Sequence, residues 1–351
     1  MFRKVGPDWI RFEDALVARG VPLVLQARAA WVRAQRETFW LVGLRHERGA
    51  AQWGCAVSVS RSRALPMARI LRVPRFGHGL TLPLVDAACA TLRDLARAER
   101  VLRLHVELYL PDAELRASVF EALTRSGFGR SARPRSYART VLIDLRPTEE
   151  DLFASFHRTC RQNIRGLSKH SLECLAIADP SLAGRMNALV AEAMARTGGR
   201  HFAINWPAWI AFVAKHPDLA RLVGVFRKET SGPDSLVGYV LGCRHGDTVE
   251  YSVAASTRLA GARTPLLYAP TWRLIQWAKS VGATTFDFGG ITAGSARAGD
   301  PVGGISDFKR SFSGNVVEVG GEFVLEPSRW RSAAAAVLPS VAAAARRLVR
   351  R

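Results

Sequence analysis

Twice along this chain of 351 residues the same order of periodicities recurs. A meander of stretches with alternating apolar residues gives way to a long helical run. One short buried apolar run follows, then another helical run, then closing strands. The first pass predicts strands over Val21–Gln26, Thr38–Arg45 and Ala51–Ser60, with a short helix through Trp31 after the first of them. It continues with a helix over Leu82–Ala98, a strand over Leu102–Leu108, a helix over Pro111–Thr124 closed by Gly127, and a strand over Arg139–Leu145. The second predicts helices over 149–170, 180–196 and 207–216, and strands over 220–227, 235–244 and 247–255. A helix over 265–281, a strand over 284–288 and two short strands within 315–325 complete it. Such alternation excludes an all-helical bundle and an all-β sandwich, and it implies an α/β protein with a mixed sheet in each half. The pattern restarts at Pro147, so the expected domains are 1–146 and 147–326, followed by a basic tail over 327–351.

Lysine and arginine together number 50 against 30 acidic residues, a net charge of +20, and only a handful of the basic residues are lysine. This excess fits an acidic partner such as RNA, anionic lipid or a phosphorylated small molecule. It fits equally an arginine-rich surface that is simply solvated. The five cysteines are scattered and never form a C-x-x-C pair, which speaks against a disulfide framework or a zinc site and for a reducing cytoplasm. No secretory leader is expected from the first residues, and no apolar run reaches the length of a membrane span. The Ala- and Arg-rich tail is read as a solvated basic helix, with peripheral contact on an anionic membrane as the alternative.

The run 149–170 carries the clearest two-faced pattern. Thr148 and Asp151 resemble a capping box. Phe153, Phe156, Cys160, Ile164 and Leu167 share one side of a helix, and Arg158, Arg161, Arg165 and Lys169 share nearly the opposite side. The first set reads as core. The second reads as a track for phosphates in a row, or as a plain solvated face; mutual repulsion of four cations favours the track.

No zinc-protease, nucleophile-elbow or P-loop motif occurs. The order of the second half suits a GNAT-type acyltransferase fold, in which a glycine-bearing loop before the long helix receives the pyrophosphate of coenzyme A. The corresponding stretch is Arg258–Arg263 (RLAGAR). It has the expected arginine and glycine, but Arg263 stands where a small residue is needed, so coenzyme A is not expected as donor.

Several segments then fall in a familiar order over roughly 140–325. They are Thr140–Leu145 (TVLIDL), the helix with Arg161 and Arg165, Met194–Phe202 (MARTGGRHF) and Tyr251–Ser256 (YSVAAS). After these come Phe286–Ile291 (FDFGGI), Gly304–Gly314 (GISDFKRSFSG) and Gly320–Phe323 (GGEF). As an ordered set they resemble the FemABX-like peptidyltransferases, which are similar to tandem GNAT domains. The first half matches only through Leu25, Gln26 and Trp31. No heptad run long enough for the coiled-coil arm of some members is present.

The resemblance implies two tandem GNAT-like domains, with the first on the acceptor side and the second on the donor side. It implies aminoacyl-tRNA as donor, a peptidoglycan-precursor peptide or related amine as acceptor, and neither metal nor cofactor. The expected setting is cytoplasmic, at the inner face of the membrane where such an acceptor is met, and a monomer is expected. Lys309 inherits a role in activity, with Phe308 beside it. Arg200 and Tyr251 inherit acceptor contacts, and Arg36 is the candidate for acceptor phosphate. Family members often carry an aromatic residue four positions after the arginine that corresponds to Arg200. Ile204 stands there in this chain, which opens a related peptide, as in natural-product tailoring, as acceptor.

The chemistry of aminoacyl transfer asks for the same residue types. An amine attacks an ester that is already activated, so the barrier lies in orientation and in stabilising the oxyanion. A cation held away from water does this best. Lys309 is assigned that task and Arg310 a phosphate, while Phe308 and Phe312 exclude water and offer a stacking surface to the terminal adenine. Without the resemblance, Phe308 and Phe312 would read as core contacts of a short helix. Asp287 is a candidate general base, or else a brace for the Gly-Gly turn. An acyl-coenzyme A N-acyltransferase and a non-catalytic RNA-binding protein are the competing functions.

Overall fold

The computed structural model describes residues 6–35, 38–62, 67–197, 203–258, 265–300, 302–328 and 330–331. In chain order the elements begin with α1 (Pro7–Ala18), α2 (Ala29–Ala34), β1 (Thr38–Arg45), β2 (Ala51–Arg61) and β3 (Arg69–Phe76). Next come α3 (Val85–Ala98), β4 (Arg103–Leu108), α4 (Ala113–Arg125), β5 (Gly129–Arg130) and β6 (Arg139–Asp144). The middle of the chain forms α5 (Glu149–Ser155), α6 (Arg158–Gly166), β7 (Leu172–Ala176), α7 (Ala183–Thr197) and α8 (Trp206–Lys215). It continues with β8 (Ala220–Arg227), β9 (Leu236–His245), β10 (Thr248–Ser256) and α9 (Tyr268–Ser280). The last elements are β11 (Thr285–Gly290), α10 (Gly303–Arg310), β12 (Val316–Glu318) and β13 (Glu322–Leu325).

Two compact units result. The first comprises Met1–Ala138 with Glu318–Arg351, and the second comprises Arg139–Val317. The first unit holds a six-stranded sheet in the order β1-β2-β3-β4-β13-β5. Strands β3 and β4 run parallel, so α3 must carry the chain back between them. Leu71, Val73, Leu104 and Val106 meet Cys89 and Leu92 of α3 and Val119 and Leu123 of α4 in one core. A second cluster places Trp9, Phe12 and Leu16 of α1 with Phe39, Leu41 and Ala56. Gly43 makes room for it: a Cβ there would sit 2.4 Å from the Phe12 ring.

The second unit repeats the plan with a seven-stranded sheet, β12-β6-β11-β10-β9-β8-β7. Here β10 and β11 are the parallel pair and α9 is the crossover. Val141, Ile143, Phe286, Phe288, Leu274, Ile275 and Phe312 lie in its core.

The mixed α/β architecture is as expected, and several elements match to within a residue or two. Four readings are corrected. Val21–Gln26 joins no strand; it leads into a 3-10 turn, Leu25–Ala27, held by the Trp9 indole N–H donating to the Ala27 carbonyl at 3.0 Å. The 149–170 helix is broken, because Phe156 turns to extended backbone (φ −66°, ψ 149°) and His157 starts a new helix with its ring nitrogen accepting from the Thr159 amide. The chain passes from one unit to the next at 138/139 rather than near 147, since β6 pairs with β11. The two closing strands part company: β12 edges the second sheet, whereas β13 inserts between β4 and β5 of the first. The tail beyond Arg331 lies outside the described residues.

Candidate active site

Where β11 ends, the second unit gathers its buried polar groups. Asp287 is fully buried; its carboxylate accepts from the Gly289 amide at 2.8 Å and lies against the Thr140 hydroxyl. Gly289 follows with φ +67°, a conformation that costs glycine little. This carboxylate therefore braces the Gly-Gly turn, one of the two roles read from the sequence.

Helix α10 presents Lys309 to the same turn. The lysine is 7% exposed, and its Nζ donates to the Gly290 carbonyl at 2.7 Å. Burial pulls its pKa from 10.5 down to about 8, while the charges of Asp287 and Glu250 pull partly the other way. Glu250 is the partner of Asp287 in the parallel register, so both carboxylates lie beside the amine, and Glu250 also meets buried His245 at 3.1 Å.

Aromatic rings wall this corner. Phe308 lies 4.8 Å from Tyr268 and 6.2 Å from Tyr251, centroid to centroid. Phe312 is 1% exposed and touches Phe156, Phe288 and Tyr268 at 5.2, 5.1 and 5.6 Å. No face of Phe312 is open to a nucleobase, so the expected stacking on adenine is corrected for this ring: it is core, and its part is to keep water out. Tyr251 is buried, which raises its phenol pKa, and it bonds to Thr271.

The cationic helix sits directly alongside. The His157 amide donates to the Ser311 carbonyl at 2.9 Å, one residue beyond α10. Tyr268 ties the corner together through side-chain bonds to Ser311 and to Asn163 of α6; burial raises its pKa. Arg158, Arg165 and Lys169 are exposed, with Arg165 over the Phe153 ring at 4.9 Å. Arg161 differs: its guanidinium donates to the Ala154 and Phe156 carbonyls, so it caps α5 across the break.

Arg310 donates to the Gly294 carbonyl at 2.9 Å and to the Thr292 carbonyl, and Asp307 lies 3.5 Å from it. Lys309, Phe308, Tyr251 and Asp287 thus converge, with Arg310 one residue on. Arg36, Arg200 and most of the Arg258–Arg263 loop lie outside the described residues. Thr140, Glu250 and Tyr268 belong to the same corner but were not singled out from sequence. Among the described residues, no group of histidine, cysteine and acidic side chains is arranged to hold a metal ion. No described helix is long and apolar enough to cross a membrane.

A profile of the FemAB family matches residues 229–339, about a third of the chain, from just before β9 through α10 and past β13. Among curated proteins there is no match. Among solved structures the chain is similar to FemX, with a TM-score of 0.68 and 14% identity over 89% of this chain and 95% of that one. It is also similar to the C-terminal domain of a putative lysylphosphatidylglycerol synthetase from Agrobacterium fabrum (TM-score 0.53, 13% identity, 94% and 96% covered). A tandem GNAT protein from the clavulanic acid biosynthesis pathway follows with a TM-score of 0.52 and 12% identity, over 91% and 94% of the two chains. At these identities the structures speak for the fold, two tandem GNAT-like units. The chain thus shares its fold with FemX, and the segment that holds Lys309 is similar to the FemAB family.

Proposed function

We propose that the protein forms a peptide bond by moving an aminoacyl group from aminoacyl-tRNA to an amine of a peptide acceptor, with a peptidoglycan precursor as the first acceptor to test. The observation that carries this is Lys309: a lysine amine buried against the Gly290 carbonyl at the end of β11, on a helix whose Phe308 joins the aromatic cluster, beside an exposed cationic helix. The acceptor nitrogen attacks the ester carbonyl and forms the C–N bond. The C–O bond to the tRNA ribose breaks, and the proton lost by nitrogen ends on the ribose oxygen. Lys309 as a cation lowers the energy of the oxyanion, because its field is little screened where water is excluded. Arg158, Arg165 and Lys169 receive tRNA phosphates. Tyr251 and Arg200 are assigned to the acceptor, and Arg36 to its phosphate. No metal or separate cofactor is required.

The test measures binding of labelled aminoacyl-tRNA and of acetyl-coenzyme A to the purified protein across a salt series, together with transfer by wild type and Lys309→Ala. Tight, steeply salt-dependent tRNA binding and a loss of transfer beyond about tenfold in the variant are expected. Saturable coenzyme A binding with only loose RNA association would replace this reading with acyl-coenzyme A chemistry. RNA binding that survives the substitution, with no transfer from wild type, would leave an RNA-binding protein.

A further inference from the structure

Consecutive residues of α10 grip consecutive parts of the segment that leaves β11. Lys309 takes the carbonyl of Gly290, and Arg310 takes those of Thr292 and Gly294. The carbonyls of 290, 292 and 294 thus all turn to one helix, although the chain bends at residue 293. The rest of α10 holds the same strap. The Thr292 amide donates to the Ser306 hydroxyl at 3.0 Å, and the Ala296 amide donates to the Asp307 carboxylate at 2.9 Å. Gly303 lets the start of the helix press against the strap, since a Cβ there would lie 2.2 Å from the Ser295 carbonyl carbon.

We propose that Arg310 is a positioning residue that acts through Lys309: its guanidinium clamps the 292–296 strap onto α10 and so keeps the lysine amine dry and aimed at the end of β11. This deepens the functional reading above and rests on Lys309 being its working cation. It also moves Arg310 away from the phosphate contact expected from sequence. A planar fork bridging two carbonyls spans a geometry that a lysine amine cannot reproduce. With the clamp gone, the strap peels from the helix and water reaches Lys309.

The experiment reads Lys309 itself. Full-length protein is labelled briefly with acetic anhydride across a pH series, and the extent of modification at Lys309 is followed by peptide mass spectrometry. Wild type is expected to titrate with a midpoint near 8. In Arg310→Ala the midpoint should rise by about one unit or more toward the ordinary lysine value of about 10.4, with Arg310→Lys between the two. If Arg310→Ala does not fold, Ser306→Ala loosens the same strap and should shift the midpoint in the same direction. A midpoint unchanged in the folded variants overturns the proposal. The tRNA affinity of the same variants is a separate judgement. A shifted midpoint with tRNA never bound sinks the donor assignment and keeps the clamp. An unchanged midpoint with weakened tRNA binding makes Arg310 a phosphate ligand and sinks the clamp alone.

Discussion

Lys309 pays a measurable penalty for its position. Its amine is held at about 8 instead of 10.5, so between those values the folded chain binds fewer protons than the unfolded one. Its contribution to stability therefore rises with pH across that window, and below pH 8 burying the cation costs about 3 kcal/mol. Lys309→Met removes this cost but strands the Gly290 carbonyl, a loss of about 1–3 kcal/mol. Buried thiols such as Cys55 and Cys160, whose pKa values burial raises, destabilise both proteins as pH climbs past the ordinary thiol range. The difference is therefore what urea denaturation should read: wild type gains on the methionine variant from pH 8 to 10, and the two are comparably stable at pH 7. Activity should behave oppositely. A cationic role predicts that transfer slows as pH rises through about 8, whereas a rate that climbs through that value would make the neutral amine a base.

Element by element, the charge stripe lies wholly beyond the break, on α6 and the 3-10 turn Leu167–His170 that follows it, but its members have different tasks. Arg161 is committed to the carbonyls at the end of α5, whereas Arg158, Arg165 and Lys169 point to solvent. Alanine at any of the last three should weaken RNA binding and reduce the slope of log affinity against log salt by about 1. Arg161→Ala should leave that slope alone and lower stability by about 1–3 kcal/mol; filter binding and thermal melts separate the two outcomes. The core face of this segment was legible because Phe156, Cys160 and Leu167 keep a common side through the break. The break was not, because a histidine ring does the capping and leaves no ordinary N-cap signal. Strand β3 went unread for a similar reason. Pro74 lies inside it, and proline usually argues against a strand, yet here it falls where the register with β4 shifts. At the candidate site the DFGG and FKR segments could be read because each is local. Thr140 reaches Asp287 across 147 residues, and no periodicity encodes such a meeting.

At the scale of the molecule, the first unit depends on a strand made last. Strand β13 lies between β4 and β5, and its Glu322 is buried with the Arg135 amide and the His105 ring nitrogen each at 2.6 Å and Arg72 at 3.5 Å. Burial alone would raise the pKa of this carboxylate, but the Arg135 amide, His105 and Arg72 outweigh it and hold it below the usual value. Its contribution is thus present above the ordinary glutamate value of about 4.3 and is lost as pH falls further. Glu322→Ala leaves these donors without their acceptor and should cost the first unit about 2–4 kcal/mol. Calorimetry should show that unit's transition move down while that of Arg139–Val317 stays in place.

The same strand sets an order of assembly. Strands β6 to β12 follow one another in the chain, so the second unit can finish its sheet as soon as Val316–Glu318 has been synthesised. The first unit has by then waited through residues 139–317, which at about 5–20 residues per second is roughly ten to thirty-odd seconds with one side of β4 unpaired. In this protein the half made first matures last, and its open strand edge is what a nascent-chain chaperone would have to shield.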